Sequence, residues 1–386
     1  MKNSVTIIII FLSLFFSRCK GRFHIEKNNQ SYKLVSPKGK PFFSLGVTHI
    51  GALSYPDSMV LFKNKYKSNW ELAAEEIYNN LVSWGFNTAG YGAPKQVRKR
   101  MPFMMPCQPL VENSSWLGPS TFSYTDIFDV EVKRKMLLKI KQMTSEKDNP
   151  NLIGYYWTDM PMWNLIKTEE KFGVNWVEFI KNLPENTAGR NRYEEYKIDC
   201  VSNKTTPTDD GFLTIIAREY YQFIGSATRR FDPKTLIFGE RYAMNRVPMN
   251  VLAEALPYID VVSIQPNGCK FDKNYFSNLH QTTKKPIMLC DHQCSFPTED
   301  HKHTMWKQLE SEDAAANNYN DYVNEAVKAP YVLGYHRCQY VDRYNEKNNL
   351  LKQGMIKNDG SPYGDLVNIV AATNQTAKEI FELSRQ

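Results

Sequence analysis

Eight short apolar runs recur along the chain, most followed by a helix-patterned segment, and this alternation limits the fold more than any other feature. Strands that alternate with helices pair in parallel, because a crossover helix carries the chain back to the same edge of a sheet. The runs are PFFSLGVTHIG (41–51), FNTAGYG (86–92), MPFMMPCQPL (101–110), LIGYYWTD (152–159), TLIFGERY (235–242), DVVSIQPNG (260–268), KPIMLCDHQ (285–293) and YVLGYHRCQYVD (331–342). A small hairpin with a Lys-Gly turn precedes the first. The helical pattern is plain in 69–85, where Leu72, Ile77, Leu81 and Val82 form a stripe that Gly85 closes. It returns around Val130, Met136, Leu138 and Ile140, and a last helix occupies 364–385. After the fourth run come about fifty polar residues, read as a long loop of the functional kind. Eight strand-helix repeats in 386 residues predict an α/β fold, a single (β/α)8 TIM barrel over 23–386, with enlarged loops at the C-terminal face of the strands.

Residues 1–22 stand apart from that pattern. A lysine, an apolar stretch from Val5 to Phe16 and a basic end suit a signal peptide or lipoprotein leader, the stretch being short for a bilayer. Export follows, to the periplasm, the outer membrane or the exterior, with attachment to a membrane only through lipidation of Cys19. The net charge of +7 is interleaved with acids and does not require nucleic acid as a partner. No GxGxxG, Walker loop or serine elbow is present, so the pattern implies no cofactor.

In a barrel the active site is built from the C-terminal strand ends, so the polar residues there form one set. The set comprises His49, Tyr91, Asp159, Glu240, Arg241, Gln265, Asn267, Asp291, His292, His336, Gln339 and Asp342. Asp159 and Asp291 close the fourth and seventh runs, on opposite sides of an eight-strand ring. Two carboxyl groups facing one sugar are what glycoside hydrolysis needs: one protonates the leaving oxygen, the other attacks or activates water. Acids at strand ends also cap helices, but here they stand beside Tyr155, Tyr156, Trp157 and Trp163, which suits a sugar site. Glu240 is a third acid, with ion pairing to Arg241 as its competing role. His49, Tyr91, Trp157, Arg241, Gln265, Asn267, His292 and His336 are the candidate substrate-binding wall. Cys269, Cys290, His292, Cys294, His336 and Cys338 could be read as zinc ligands. Strand alternation, however, sends Cys290, His292 and Cys294 to one face and Asp291 to the other, so no metal is expected. The six cysteines after the leader are too few for a disulfide scaffold, although one bridge remains open.

Several segments resemble exo-acting β-agarases and related retaining (β/α)8 glycoside hydrolases with the acid/base on strand four and the nucleophile on strand seven. YTDIFDVEVKRKM, with Asp126, Phe128 and Asp129, is similar to a segment that precedes a helix in that group. FDPKTLIFGERY and GYHRCQYVDR resemble its runs into strands five and eight. The resemblance implies a nucleophile at Asp291. It places Asp159 on an asparagine and Met160 on the acid/base glutamate, and a thioether neither gives nor takes a proton. The expectation is therefore a glycoside hydrolase acting on a polysaccharide or oligosaccharide, with a galactan implied by the resemblance. Its catalytic set is Asp159, Asp291 and Glu240. The alternative is a glycan-binding protein on a degenerate barrel.

Overall fold

The apolar runs become strands whose two faces are both covered: every residue of Ser44–Val47, Leu152–Tyr155, Ile287–His292 and Val332–Arg337 is buried. Strands covered on both faces belong to a parallel sheet wrapped by helices. The structure, a computed structural model, describes residues 21–29, 31–105 and 110–384. Residues 1–20 of the expected leader, Cys19 among them, and Cys107 lie outside the described residues, whereas Arg22, at the leader's end, donates to Thr235 Oγ1 at 2.8 Å.

An antiparallel entry hairpin, β1 (His24–Asn28), β2 (Ser31–Val35) and β3 (Pro41–Phe42), turns through Gly39 at φ 75. The main sheet follows with β4 (Ser44–Val47), β5 (Thr88–Ala89), β6 (Phe103–Met105), β7 (Leu152–Tyr155) and β8 (Leu236–Ile237). It continues with β9 (Arg241–Ala243), β10 (Val262–Gln265), β11 (Ile287–His292) and β12 (Val332–Arg337). The nine strands run in the order β8-β7-β6-β5-β4-β12-β11-β10-β9, a curled parallel sheet of the TIM-barrel kind. Its two outermost strands, β8 and β9, are halves of the fifth run, interrupted where Gly239 takes φ 66. Across that interruption Trp157 N–H donates to Gly239 O at 2.8 Å and Arg241 N–H to Thr158 O at 2.9 Å. Asp159 and Arg241 thereby become lateral neighbours in a parallel bridge. A small hairpin, β13 (Arg343–Asn345) with β14 (Leu350–Lys352), follows the last barrel strand.

Close contact inside the sheet dictates one glycine. A Cβ on Gly46 would stand 2.6 Å from the His336 ring, so glycine at 46 is what admits that imidazole to the interior.

The surrounding helices match the expected segments at Trp70–Ser83, Val130–Met143 and Gly364–Ser384, and Met249–Ala255, Lys273–Thr283 and Glu312–Lys328 stand between the later strands. Asp129 caps the second of these, accepting from Glu131 N–H and Val132 N–H. The buried stripe of Trp70–Ser83 differs from the expected one: Ala73, Ala74, Ile77 and Leu81 face inward, whereas Leu72 and Val82 are exposed. The small alanines let this helix lie close to its neighbours, and the larger residues flank the contact.

The stretch after the fourth strand is not a loop. It folds as Leu165–Phe172, Trp176–Lys181 and Ala188–Ser202 before the long helix Asp209–Phe231. Asn164 and Asn175 start the first two by accepting from Lys167 N–H and Glu178 N–H. Asp126 fastens the third by accepting from Gly189 N–H at 2.8 Å. Among the described residues no helix is long and apolar enough to cross a membrane.

Candidate active site

Three residues at the C-terminal mouth take a left-handed backbone that side chains rarely adopt: His49 (φ 53), Met160 (φ 52) and Asp291 (φ 56). Each such residue costs ~1–3 kcal/mol, and they gather where side chains must be aimed against local preference. They stand at the ends of the first, fourth and seventh barrel strands. At Asp291 the turn also breaks the register of β11 against β12, so simple alternation fails there. Cys338 Sγ, a His49 ring nitrogen and an Asp291 oxygen all lie within 4.8 Å of one another. The alternation expected from sequence concerned Cys290 and Cys294; the thiol found beside the acid is Cys338, from the neighbouring strand.

Asp291 is 4% exposed and held from several sides. Thr48 Oγ1 donates to its Oδ1 at 2.5 Å, and His49 Nε2 lies 3.0 Å from Oδ1 and 3.2 Å from Oδ2. Arg241 Nη2 is 3.6 Å from Oδ2. Burial pushes this carboxyl up, but its contact with His49 and the Arg241 guanidinium outweigh burial and hold it well below the usual range. Burial likewise pushes His49 below its ordinary value, with the Asp291 carboxylate opposing only in part. Asp291 is thus favoured as the anion, and His49 gives up its proton more readily than a free imidazole.

Asp159 meets the same arginine. Its Oδ1 lies 2.5 Å from Arg241 Nη2 and 3.2 Å from Nε. Both contacts fall on one oxygen, Oδ1. Arg241 is fully buried, and its Cζ sits 4.0 Å from the centre of the Tyr91 ring, a cation held over an aromatic face. Tyr91 in turn meets His49 edge-on at 5.8 Å. Strands one, two, four, five and seven thus contribute to one charged cluster.

Glu240 is placed elsewhere. Successive residues of a strand point to opposite faces, so Glu240 does not pair with its neighbour Arg241 but turns toward the helix Asp209–Phe231. There its carboxylate accepts from Trp163 Nε1–H at 2.9 Å, Tyr220 O–H at 3.1 Å and Tyr221 O–H at 2.5 Å. Burial pushes it up to about 7, with those three donors pulling the other way. The ion pair weighed from sequence is absent among the described residues, and Glu240 lies behind the mouth.

Two wall residues are displaced in the same sense. Trp157 is fully buried, donating from Nε1 to Thr228 Oγ1 at 3.2 Å, and packs between sheet and helix. His336 is also fully buried, its Nε2 2.9 Å from Ser44 Oγ, and burial pushes it down to about 3. Neither side chain is exposed at the mouth. Asp342 likewise serves the fold, accepting from Gly354 N–H and Tyr363 O–H, each at 2.6 Å.

Gln265, Asn267 and His292 do line a cavity of about 310 Å³ at the mouth, together with Met160. His292 is anchored by Tyr335 Oη at 3.0 Å and Gly268 O at 2.8 Å, and burial pushes it down to about 4. The zinc-ligand grouping dissolves: Cys269 and Cys294 form a disulfide, which leaves Cys200, Cys290 and Cys338 as the described free thiols, all buried.

Sequence reasoning missed Thr48, Arg246, Met305, Trp306 and Lys307. The last three arrive on the segment after strand seven, whose TMWKQ (304–308) carried a signal in its tryptophan flanked by polar residues.

Three solved structures show what this architecture resembles. An exo-beta-agarase aligns with a TM-score of 0.78 at 16% identity, over 94% of this chain and 65% of that one. An agarase gives 0.75 at 17%, over 94% and 64%, and BpGH50 gives 0.74 at 15%, over 95% and 84%. The chain spans just under two thirds of the length of the first two. No family model matches the chain, and no curated protein matches it. At these identities the likeness is one of fold: the chain has a glycosidase-like α/β architecture.

Proposed function

We propose that the chain is a glycoside hydrolase that cleaves a polysaccharide or oligosaccharide, a galactan among the candidates, at the mouth of a closed barrel. The observation that carries this reading is the placement of Asp159 and Asp291 on one Arg241 nitrogen, at 2.5 and 3.6 Å. Their nearest oxygens cannot be further apart than the sum of those distances. That sum bounds only the nearest oxygens, so it admits the ~5–5.5 Å of a retaining pair, which this reading adopts, without excluding the wider ~6.5–9.5 Å of an inverting one. Asp291, ionised and held by Thr48 and His49, attacks the anomeric carbon. Asp159 takes up a proton as substrate binds, hands it to the leaving oxygen and returns as a carboxylate to Arg241, while Met160 takes no part in the proton transfer.

Export belongs to the same reading, with or without acylation of Cys19. The Cys269–Cys294 disulfide supports it, since such bonds persist in oxidising compartments.

A second reading, sugar binding without cleavage, is favoured by one observation: both carboxylates already serve as counter-ions to a buried arginine. Incubating the protein with a panel of algal and plant glycans, beside Asp159→Asn and Asp291→Asn, separates the two. Hydrolysis that falls by about 10²-fold or more in each variant supports the enzyme. Full turnover in both variants removes these residues from the mechanism. Tight binding with no product from the parent establishes the binding protein.

A further inference from the structure

The cavity beside the two carboxylates has a charge of its own. Arg246 and Lys307 line it, and among the described residues no aspartate or glutamate does. The ion pairs around the mouth use Arg241 with Asp159 and Asp291, and Arg343 with Asp57; none among the described residues uses Arg246 or Lys307. Lys352 adds further positive charge, being close enough to act on both His49 and Asp291. Against these stand, among the described residues, Asp159 and Asp291, of whose two negative charges Arg241 offsets one. A concave surface with surplus cations and low-dielectric walls concentrates anions.

The same lining holds polar atoms without partners. Gln293 is 2% exposed, and while its Nε2 donates to Gln353 O at 2.9 Å, its Oε1 accepts from nothing. Gln265 Oε1 and the Trp306 indole N–H are buried as well and have no partner among the described residues. Buried polar atoms left this way are uncommon in a folded protein. Two acceptors and a neutral donor beside two cations complement a ligand that brings both hydroxyls and a negative charge. Met160, Met305 and the Trp306 ring supply apolar surface for the face of such a ring.

We propose that this cavity binds an anionic sugar ring, one carrying a carboxylate or a sulfate ester, with Arg246 and Lys307 on the charged group and Gln265 and Gln293 on hydroxyls. The proposal rests on the reading of the mouth as a carbohydrate site and narrows its substrate class. A neutral glycan leaves both cations without a counter-charge, so charge is the feature the cavity selects.

The test uses the full protein and three oligosaccharides of one backbone: neutral, sulfated and oxidised to the uronate. Binding is measured by calorimetry at low and at moderate salt for the parent, Arg246→Gln, Lys307→Gln and the double variant, with product release followed in parallel. The expected result is at least about tenfold tighter binding of one or both anionic forms. Salt should weaken that preference and the double variant should abolish it; the arm that shows it identifies carboxylate or sulfate. Equal affinity for neutral and anionic forms, or an equal loss of both in the variants, overturns the proposal. If the neutral form is cleaved as fast as the others, charge selection fails and the hydrolase reading stands. If the anionic form binds as expected and is never cleaved, the hydrolase reading fails and charge selection stands. Binding of none of the three overturns both.

Discussion

Replacing Glu240 by glutamine should flatten the pH dependence of stability while leaving the chemistry of the mouth in place. The carboxylate is fully buried, touches Trp163, Tyr220 and Tyr221, and is pushed up from an ordinary 4.5 to about 7. A carboxyl raised by folding contributes stability that is fully present below its unfolded value. That contribution is lost as pH rises through the folded value. Each unit is worth ~1.36 kcal/mol, so between about pH 5 and about pH 8 the parent should lose ~3 kcal/mol through this group. Glutamine does not titrate. Its amide can turn its oxygen to Trp163 and Tyr221 and its nitrogen to the Tyr220 hydroxyl, which also accepts. Urea unfolding of parent and Glu240→Gln at the two pH values gives the difference, from which the titrations of Asp342, His292 and His336 cancel. The parent should be weakened by ~3 kcal/mol relative to the variant on going from acid to alkaline conditions. A difference that stays flat would refute the reasoning, as would a loss of turnover with unchanged stability.

Further expectations follow from the charged cluster and the bridge. Arg241→Met leaves two carboxylates facing each other without their cation and should cost ~3–5 kcal/mol in denaturant unfolding, partly recovered when Asp159→Asn is added. His49→Ala removes one of the groups that hold Asp291 ionised, so the acid limb of kcat/KM against pH should move up by about one unit. Cys294→Ser opens a bridge between positions 25 residues apart and should lower stability by ~3.5 kcal/mol. Under reducing conditions the parent should converge on that variant.

The repeat of strands and helices was legible because each run is bounded and each helix carries its caps: Asn69, Asp129 and Ser311 all cap the helices that follow them. Asp159 and Asp291 were legible as strand-end acids. Their meeting through Arg241 was not, since it depends on a left-handed turn at Asp291 and on the interruption of the fifth strand. Glu240 shows a signal that was present and outweighed: strand alternation alone sets it opposite Arg241, yet adjacency suggested a pair. Trp157 and His336 were misplaced for a related reason, because their residue type suits a sugar wall while their strand position faces the helix layer or the sheet interior. Of the three helices after strand four, Ala188–Ser202 escaped because it buries few residues, among them Tyr196 and Cys200, and so carries no apolar stripe, while Leu165–Phe172 and Trp176–Lys181 are too short for a period to stand out. Arg246, Trp306 and Lys307 lie off the barrel strands, on connecting segments where no period marks which residues turn to the mouth.

The central claim is that Asp291 is the nucleophile of a retaining pair completed by Asp159. Its most direct test is to trap the covalent intermediate with a 2-fluoro glycoside of a sugar the protein cleaves, followed by peptide mapping in a mass spectrometer. The account predicts one sugar per chain, attached to the peptide that contains Asp291, with no label in Asp291→Asn. A label on another carboxylate contradicts it, as does steady cleavage of the glycan by a protein that never becomes labelled.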